Sequence, residues 1–233
     1  ITGLDVDIAE EAFRRMGYRA EFTTIDWEQK TELVDNGEID CIWGCFSMDG
    51  REKWTISGRD RIWVSRQVIA VSEQSSIERM SDLAGKTIAV QSTGKPEAIF
   101  LRGGDNVPAF RDIISLADRG VQYAMLDCGY VDAVAAHEEA IRQYMKDYGA
   151  NFRILDEPLL VTGIGVAFPD MTRAALRRSW TRSLSRCART AAWKARRKYL
   201  DDPRTVWRWM RLNSKTGSRA RGNLRLPVAL RAD

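Results

Sequence analysis

The chain has 233 residues, 44% hydrophobic and 29% charged, a composition that suits one large or two small globular domains and excludes a low-complexity or fibrous protein. Its net charge of +4 is uneven: residues 171–233 hold 18 basic and 3 acidic side chains, a balance of +15, against −11 for the remainder. No apolar run approaches the roughly 20 residues that span a bilayer, and Cys41, Cys45, Cys128 and Cys187 form no CxxC pair or disulfide framework.

In chain order, GLDVDIAEEAFRRMG places Ile8, Ala12, Phe13 and Met16 at helical spacing and stops at Gly17. RAEFTTID follows as a strand, and WEQKTELVDNG as a helix ending at Asn36-Gly37. IDCIWGCF is a nearly continuous apolar run of strand length, as expected when both faces are covered. Cys41 and Cys45 share one face of it and read as buried thiols. RQVIAVSE is a strand, SIERMSDLAG a short helix with Ser81 and Asp82 as caps, and KTIAVQ a strand. IISLADRGVQYAMLDCG and YVDAVAAHEEAIRQYMKDYG then read helix, strand, helix, and FRILDE and LLVTGIGVAF close the series as strands. This alternation predicts a parallel α/β architecture.

Catalytic constellations are sparse. The single histidine, His137, limits a Ser-His-Asp triad, and no GxSxG elbow occurs. AGKT and STGK lack the upstream glycine of a phosphate loop. HEE at 137–139 offers metal ligands without a second His or Cys at helical spacing, so a histidine closing a buried strand is the favoured reading. The sequence predicts no catalytic residues, no metal and no cofactor.

The ordered segments GLDVDIAEEAFRRMG, IDWEQKTELVDNGEIDCIWGCFSMDGRE, DLAGKTIAVQSTGKPEAIF, GYVDAVAAHEEAI and GIGVAF resemble the bacterial extracellular solute-binding proteins of family 3 that capture polar amino acids. The resemblance covers residues 3–170. It implies a two-lobed, type II periplasmic-binding-protein-like α/β fold with two hinge strands, RQVIAVSE and LLVTGIGVAF, closing on the ligand. Lobe one is expected at 1–70 plus 166–204 and lobe two at 71–165.

The resemblance also assigns a site. An amino-acid carboxylate calls for a bidentate arginine, and the family's arginine, seven residues after a glycine, falls on Arg51 after Gly44. The alternative is a solvated arginine after the Asp49-Gly50 turn. The family's hydroxyl position falls on Phe46, with Ser47 one residue later. The loop Gln91, Ser92, Thr93 and Gly94 is expected to supply donors from lobe two at a helix N-terminus, a role that an ordinary helix cap can share. Trp27 sits where the family covers its ligand with an aromatic, or else belongs to the core. The family's ammonium-binding aspartate maps onto His137, so either Glu138 takes that role or the ligand lacks an α-ammonium. Asp132 reads as a turn residue.

Two departures stand beside the resemblance. The family's first strand has no counterpart before GLDVDI, and the region after GVAF is Arg-, Trp- and Cys-rich where the family turns between two helices. The basic SLSRCARTAAWKARRKYL admits nucleic-acid or membrane-surface contact. The reading adopted is a damaged or divergent end to a binding fold, parts of it translated out of frame, with 176–200 at best a poorly anchored helix and residues from about 205 onward disordered. A non-enzymatic capture subunit of an ATP-driven importer is expected, with a small amino acid or carboxylate as ligand and a membrane permease as partner. It is expected to be monomeric, outside the cytoplasm and without nucleic-acid partners. The alternatives are the sensor module of a membrane signalling protein, with a fused signalling domain, and a dehydratase-like enzyme using Glu138 or His137 as acid.

Overall fold

Thirteen residues, Leu4–Met16, form the first helix, α1, and end where Gly17 adopts a left-handed φ of 84° that donates its N–H back to Arg14. In the computed structural model the described residues are 3–51, 61–104, 106–168, 186–187, 190 and the backbone of 225–229. After α1 come β1 (Arg19–Thr23), a short 3₁₀ turn (Trp27–Gln29), α2 (Lys30–Asp35), β2 (Cys41–Ser47) and β3 (Trp63–Ser72). A second 3₁₀ turn (Met80–Leu83) leads to β4 (Thr87–Gln91), α3 (Lys95–Arg102), β5 (Asp112–Leu116), α4 (Arg119–Asp127) and β6 (Ala133–His137). Then follow α5 (Glu138–Tyr148), β7 (Phe152–Ile154), β8 (Leu160–Ala167) and β9 (Arg225–Ala229).

The described chain divides into two compact units. The first holds residues 3–25, 29–63 and those from 163 onward; the second holds 26–28 and 64–162. The second unit includes residues 64–70 of β3, which pairs with β6 and β7 from Gln67 to Ser72.

In the first unit the strands run in the order β1-β9-β2-β8. Helix α1 lays Ile8, Ala9, Ala12 and Phe13 on Cys41, Trp43, Ile164 and Val166, with the Phe13 and Trp43 rings 5.7 Å apart. This is the helical stripe read from the sequence, now buried against a sheet. Cys187 packs against the same core, half-buried. Strand β9 pairs in parallel with β1 from Arg19↔Arg225 to Thr23↔Ala229, and with β2 at Cys41↔Val228 and Ile42↔Ala229. Disorder was expected throughout 205–233, and for 225–229 the structure has an inserted strand instead. The remaining tail residues, and all of 176–200 except 186, 187 and 190, lie outside the described residues.

The second unit is ordered β3-β6-β4-β5, with β7 on β3. Strands β4, β5 and β6 are parallel, whereas β3 runs antiparallel to β6. Alternate residues of each strand feed opposite faces. Val68, Ala70, Ala89 and Val134 meet α4 and α5 through Tyr123, Leu126 and Ile141. Ile69, Val71, Ile88 and Val90 meet Leu83 and Phe100 on the other face. Fully buried Gln122 of α4 donates from Nε2 to the carbonyls of Ala89 and Ala135, each 3.0 Å away, fastening the helix to two strands. Asp132, expected at a turn, accepts the Thr87 N–H at 2.8 Å and fixes the start of β4.

One element differs in kind from the sequence reading. IISL, read as the start of a helix, is β5, paired in parallel with β4 from Thr87↔Asp112 to Gln91↔Leu116. A short apolar run carries no periodicity that separates a buried strand from a helix turn.

Candidate functional site

In the first unit, β2 bends where Cys45 takes a left-handed φ of 47° and its pairing with β8 shifts register between Ile42 and Phe46. The bend is held by Asp5 of α1, whose Oδ2 accepts the Cys45 N–H at 2.9 Å and its thiol at 3.3 Å. Such conformations are uncommon outside glycine and concentrate at functional segments. The bulge also breaks the simple alternation, so Cys41 is fully buried while Cys45 is only half-buried.

Beyond β2 the chain turns at 48–51, where the Arg51 N–H bonds the Met48 carbonyl at 3.0 Å and Met48 N–H bonds Gly163 O at 2.9 Å. A Cβ at Gly165 would sit 2.7 Å from Met48 Sδ, so any larger residue there would require the Met48 side chain to move. The Arg51 guanidinium lies 4.7 Å from the centroid of the Phe46 ring. Burial lowers its pKa to about 10, which keeps it cationic at neutral pH. Arg51, Phe46 and buried Ser47 thus share one short segment. Trp27 is buried and lies in the stretch 26–28 that groups with the second unit.

In the second unit, parallel β4, β5 and β6 end at Gln91, Leu116 and His137, so the following loops share the carboxyl edge of the sheet, where α/β proteins bind ligands. This brings Gln91, Ser92, Thr93, Gly94, His137 and Glu138 to one edge. Thr93 has a left-handed φ of 54°, rare for a β-branched residue. The three backbone N–H groups expected to await a ligand already have acceptors: Leu116 O for Ser92 at 2.8 Å, the Glu97 carboxylate for Thr93 at 2.6 Å, and Gln91 O for Gly94 at 3.1 Å. A Cβ on Gly94 would meet Gln91 O at 2.7 Å, so glycine is required for this tight turn.

His137 is buried and bonded at both ring nitrogens. Its Nδ1 lies 2.8 Å from Ser65 Oγ and its Nε2 lies 2.7 Å from Gln67 Nε2, while Ser65 donates its hydroxyl proton to Glu139 at 2.6 Å. Glu138 meets Arg66 at 3.3 Å and Arg142 at 2.8 Å. Arg119, nine-tenths buried at the start of α4, donates from Nη2 to Gln91 Oε1 at 2.9 Å. Ser65, Gln67 and Arg119 were missed in the sequence, and Glu139 was weighed only as a metal ligand in HEE. The signal for the first two was the polar run Ser65-Arg66-Gln67 inside the otherwise apolar strand WVSRQVIAV.

Residues 1–204 match the family model of bacterial extracellular solute-binding proteins, family 3. The chain belongs to that family. Similar proteins include a glutamine-binding protein of Geobacillus stearothermophilus, 22% identical over 74% of this chain and 66% of its own length. A putative amino-acid ABC transporter-binding protein, PatH, of Vibrio harveyi is 26% identical over 68% and 62%. The chain thus spans just under two thirds of each. The substrate-binding protein of an amino acid ABC transporter shares the fold with a TM-score of 0.72 at 24% identity, covering 86% of this chain and 88% of that one. This establishes the two-lobed α/β fold of the family.

Proposed function

We propose that this family 3 protein binds a small amino acid or related carboxylate without transforming it, as the capture subunit of an importer outside the cytoplasm. The observation that carries the reading is Arg51: cationic at neutral pH, partly withdrawn from water and seated on the Phe46 ring. Its planar fork matches a carboxylate bidentately, and the family resemblance puts the carboxylate-binding arginine at this position. Among the described residues no helix is long and apolar enough to cross a membrane.

Binding without turnover is favoured over a dehydratase-like enzyme by the hydrogen bonds of His137. With Gln67 on Nε2 and Ser65 on Nδ1, neither nitrogen is poised for proton transfer to a substrate. A thermal-shift screen with amino acids and small carboxylates tests the proposal. A rise in melting temperature that saturates with ligand, with the ligand recovered unchanged, is expected. No shift across the panel, or steady consumption of the stabilising compound, would contradict it.

A further inference from the structure

The hydrogen bonds around His137 have one consistent direction. Ser65 has a single proton, given to Glu139, so Ser65 Oγ accepts from His137 Nδ1–H. The imidazole Nε2 then carries a lone pair, which accepts the Gln67 amide N–H. Gln67 faces His137 in register across β3 and β6, and Ser65, two residues away, shares its face. Ser65, Gln67 and His137 are 1%, 2% and 5% exposed, so water does not offer an alternative set of partners. The result is a chain of hydrogen bonds linking Gln67, His137, Ser65 and Glu139. Gln67 Oε1 is buried beside it with no hydrogen-bond partner among the described residues, an uncharged acceptor at the same place.

The neighbouring charges at this edge point the same way. Glu138 is held by Arg66 and Arg142, Glu97 by the Thr93 N–H, and Asp118 caps α4 through Gly120 and Val121 N–H. Glu139 already receives Ser65. Each of these four carboxylates is engaged inside the chain, while Arg119 adds a buried cation. A ligand ammonium brought here would lose its hydration without gaining a dedicated anion, a costly transfer.

We infer that the second unit is built for small carboxylates lacking an α-ammonium, such as 2-oxo and 2-hydroxy acids, with His137 as the residue that sets this preference. The inference rests on the proposed binding of a small carboxylate and narrows its class. A hydroxyl or carbonyl at the second carbon can share hydrogen bonds with uncharged groups, where an ammonium needs a negative one.

The test is calorimetry on the full chain with matched compounds: each common amino acid against its 2-oxo and 2-hydroxy counterparts, for example glutamate against 2-oxoglutarate and 2-hydroxyglutarate. The oxo or hydroxy member of the bound set is expected to bind about tenfold or more tighter than the amino acid. His137→Asp is expected to narrow or reverse that ratio, and His137→Gln, which stays uncharged, to retain it. Equal or tighter binding of the amino acid by the unaltered protein overturns the inference and leaves the proposed function standing. Binding of none of the compounds overturns both.

Discussion

The two units reach similar architectures by different routes. The second is nearly one unbroken stretch, 64–162, in which strands and helices follow one another and each face of the sheet acquires its own core. The first is assembled from distant pieces: α1, β1 and β2, the end of β8, and β9, more than 50 residues further on. A sheet built from local crossovers closes itself, whereas one with a slot between β1 and β2 depends on a remote segment. Loop closure over such distance costs more entropy than a short crossover does, so the first unit should be the easier one to break.

The largest effect is expected from ending the chain after Leu224. Strand β9 then no longer bridges β1 and β2. Several ladder hydrogen bonds at about 1 kcal/mol each give a loss of about 2–4 kcal/mol, confined to the first unit. Hydrogen exchange should show α1, β1 and β2 opening while β4 and β6 keep their protection. Unchanged protection in β1 and β2 would show that β9 contributes nothing to the first unit.

A smaller effect of the opposite location sharpens the contrast. Asp132→Ala removes the acceptor of the Thr87 N–H at the start of β4, at a cost of about 1–2 kcal/mol. Exchange should rise in β4 and its neighbours and leave α1 unaffected. Denaturant unfolding with no change in midpoint would show that Asp132 contributes nothing to the second unit.

The smallest lies on the surface of α1. Hydrogen bonds from Arg14, then Arg15, hold the Glu11 pKa at about 2 against an ordinary 4.5. A carboxyl with a depressed folded pKa stabilises above its ordinary value, and that contribution fades as pH falls from 4.5 through about 2. Glu11→Gln should therefore lower the melting temperature near pH 7 by only about 1–2 °C, as befits an exposed ion pair. The difference from the unaltered protein should vanish toward pH 2, and a difference growing on acidification would invert the sign.

The same contrast governs what the sequence reveals. Helix α1 is legible because its apolar residues recur every three or four positions and a glycine ends it. Strands β4 and β6 are legible because they are apolar runs between turns. Strand β5 was not, since four apolar residues fit a helix turn as well. Strand β9 was not either: RLPVA contains a proline and follows a long basic stretch, and only its partners 200 residues away make it a strand. Arg51 and the 91–94 loop are site candidates that only the resemblance to the family offers. The relay through His137 could not, because Ser65 and Gln67 lie about 70 residues from it and meet it only through the β3–β6 register.

Arg51 carries the account of binding, and the most direct test is calorimetry of Arg51→Ala and Arg51→Lys with the compound that most stabilises the unaltered protein. Loss of the guanidinium is predicted to cost about 2–5 kcal/mol of binding free energy, and lysine, without the bidentate fork, should recover only part of it. Affinity unchanged in the alanine variant would remove Arg51 from the site and contradict the account.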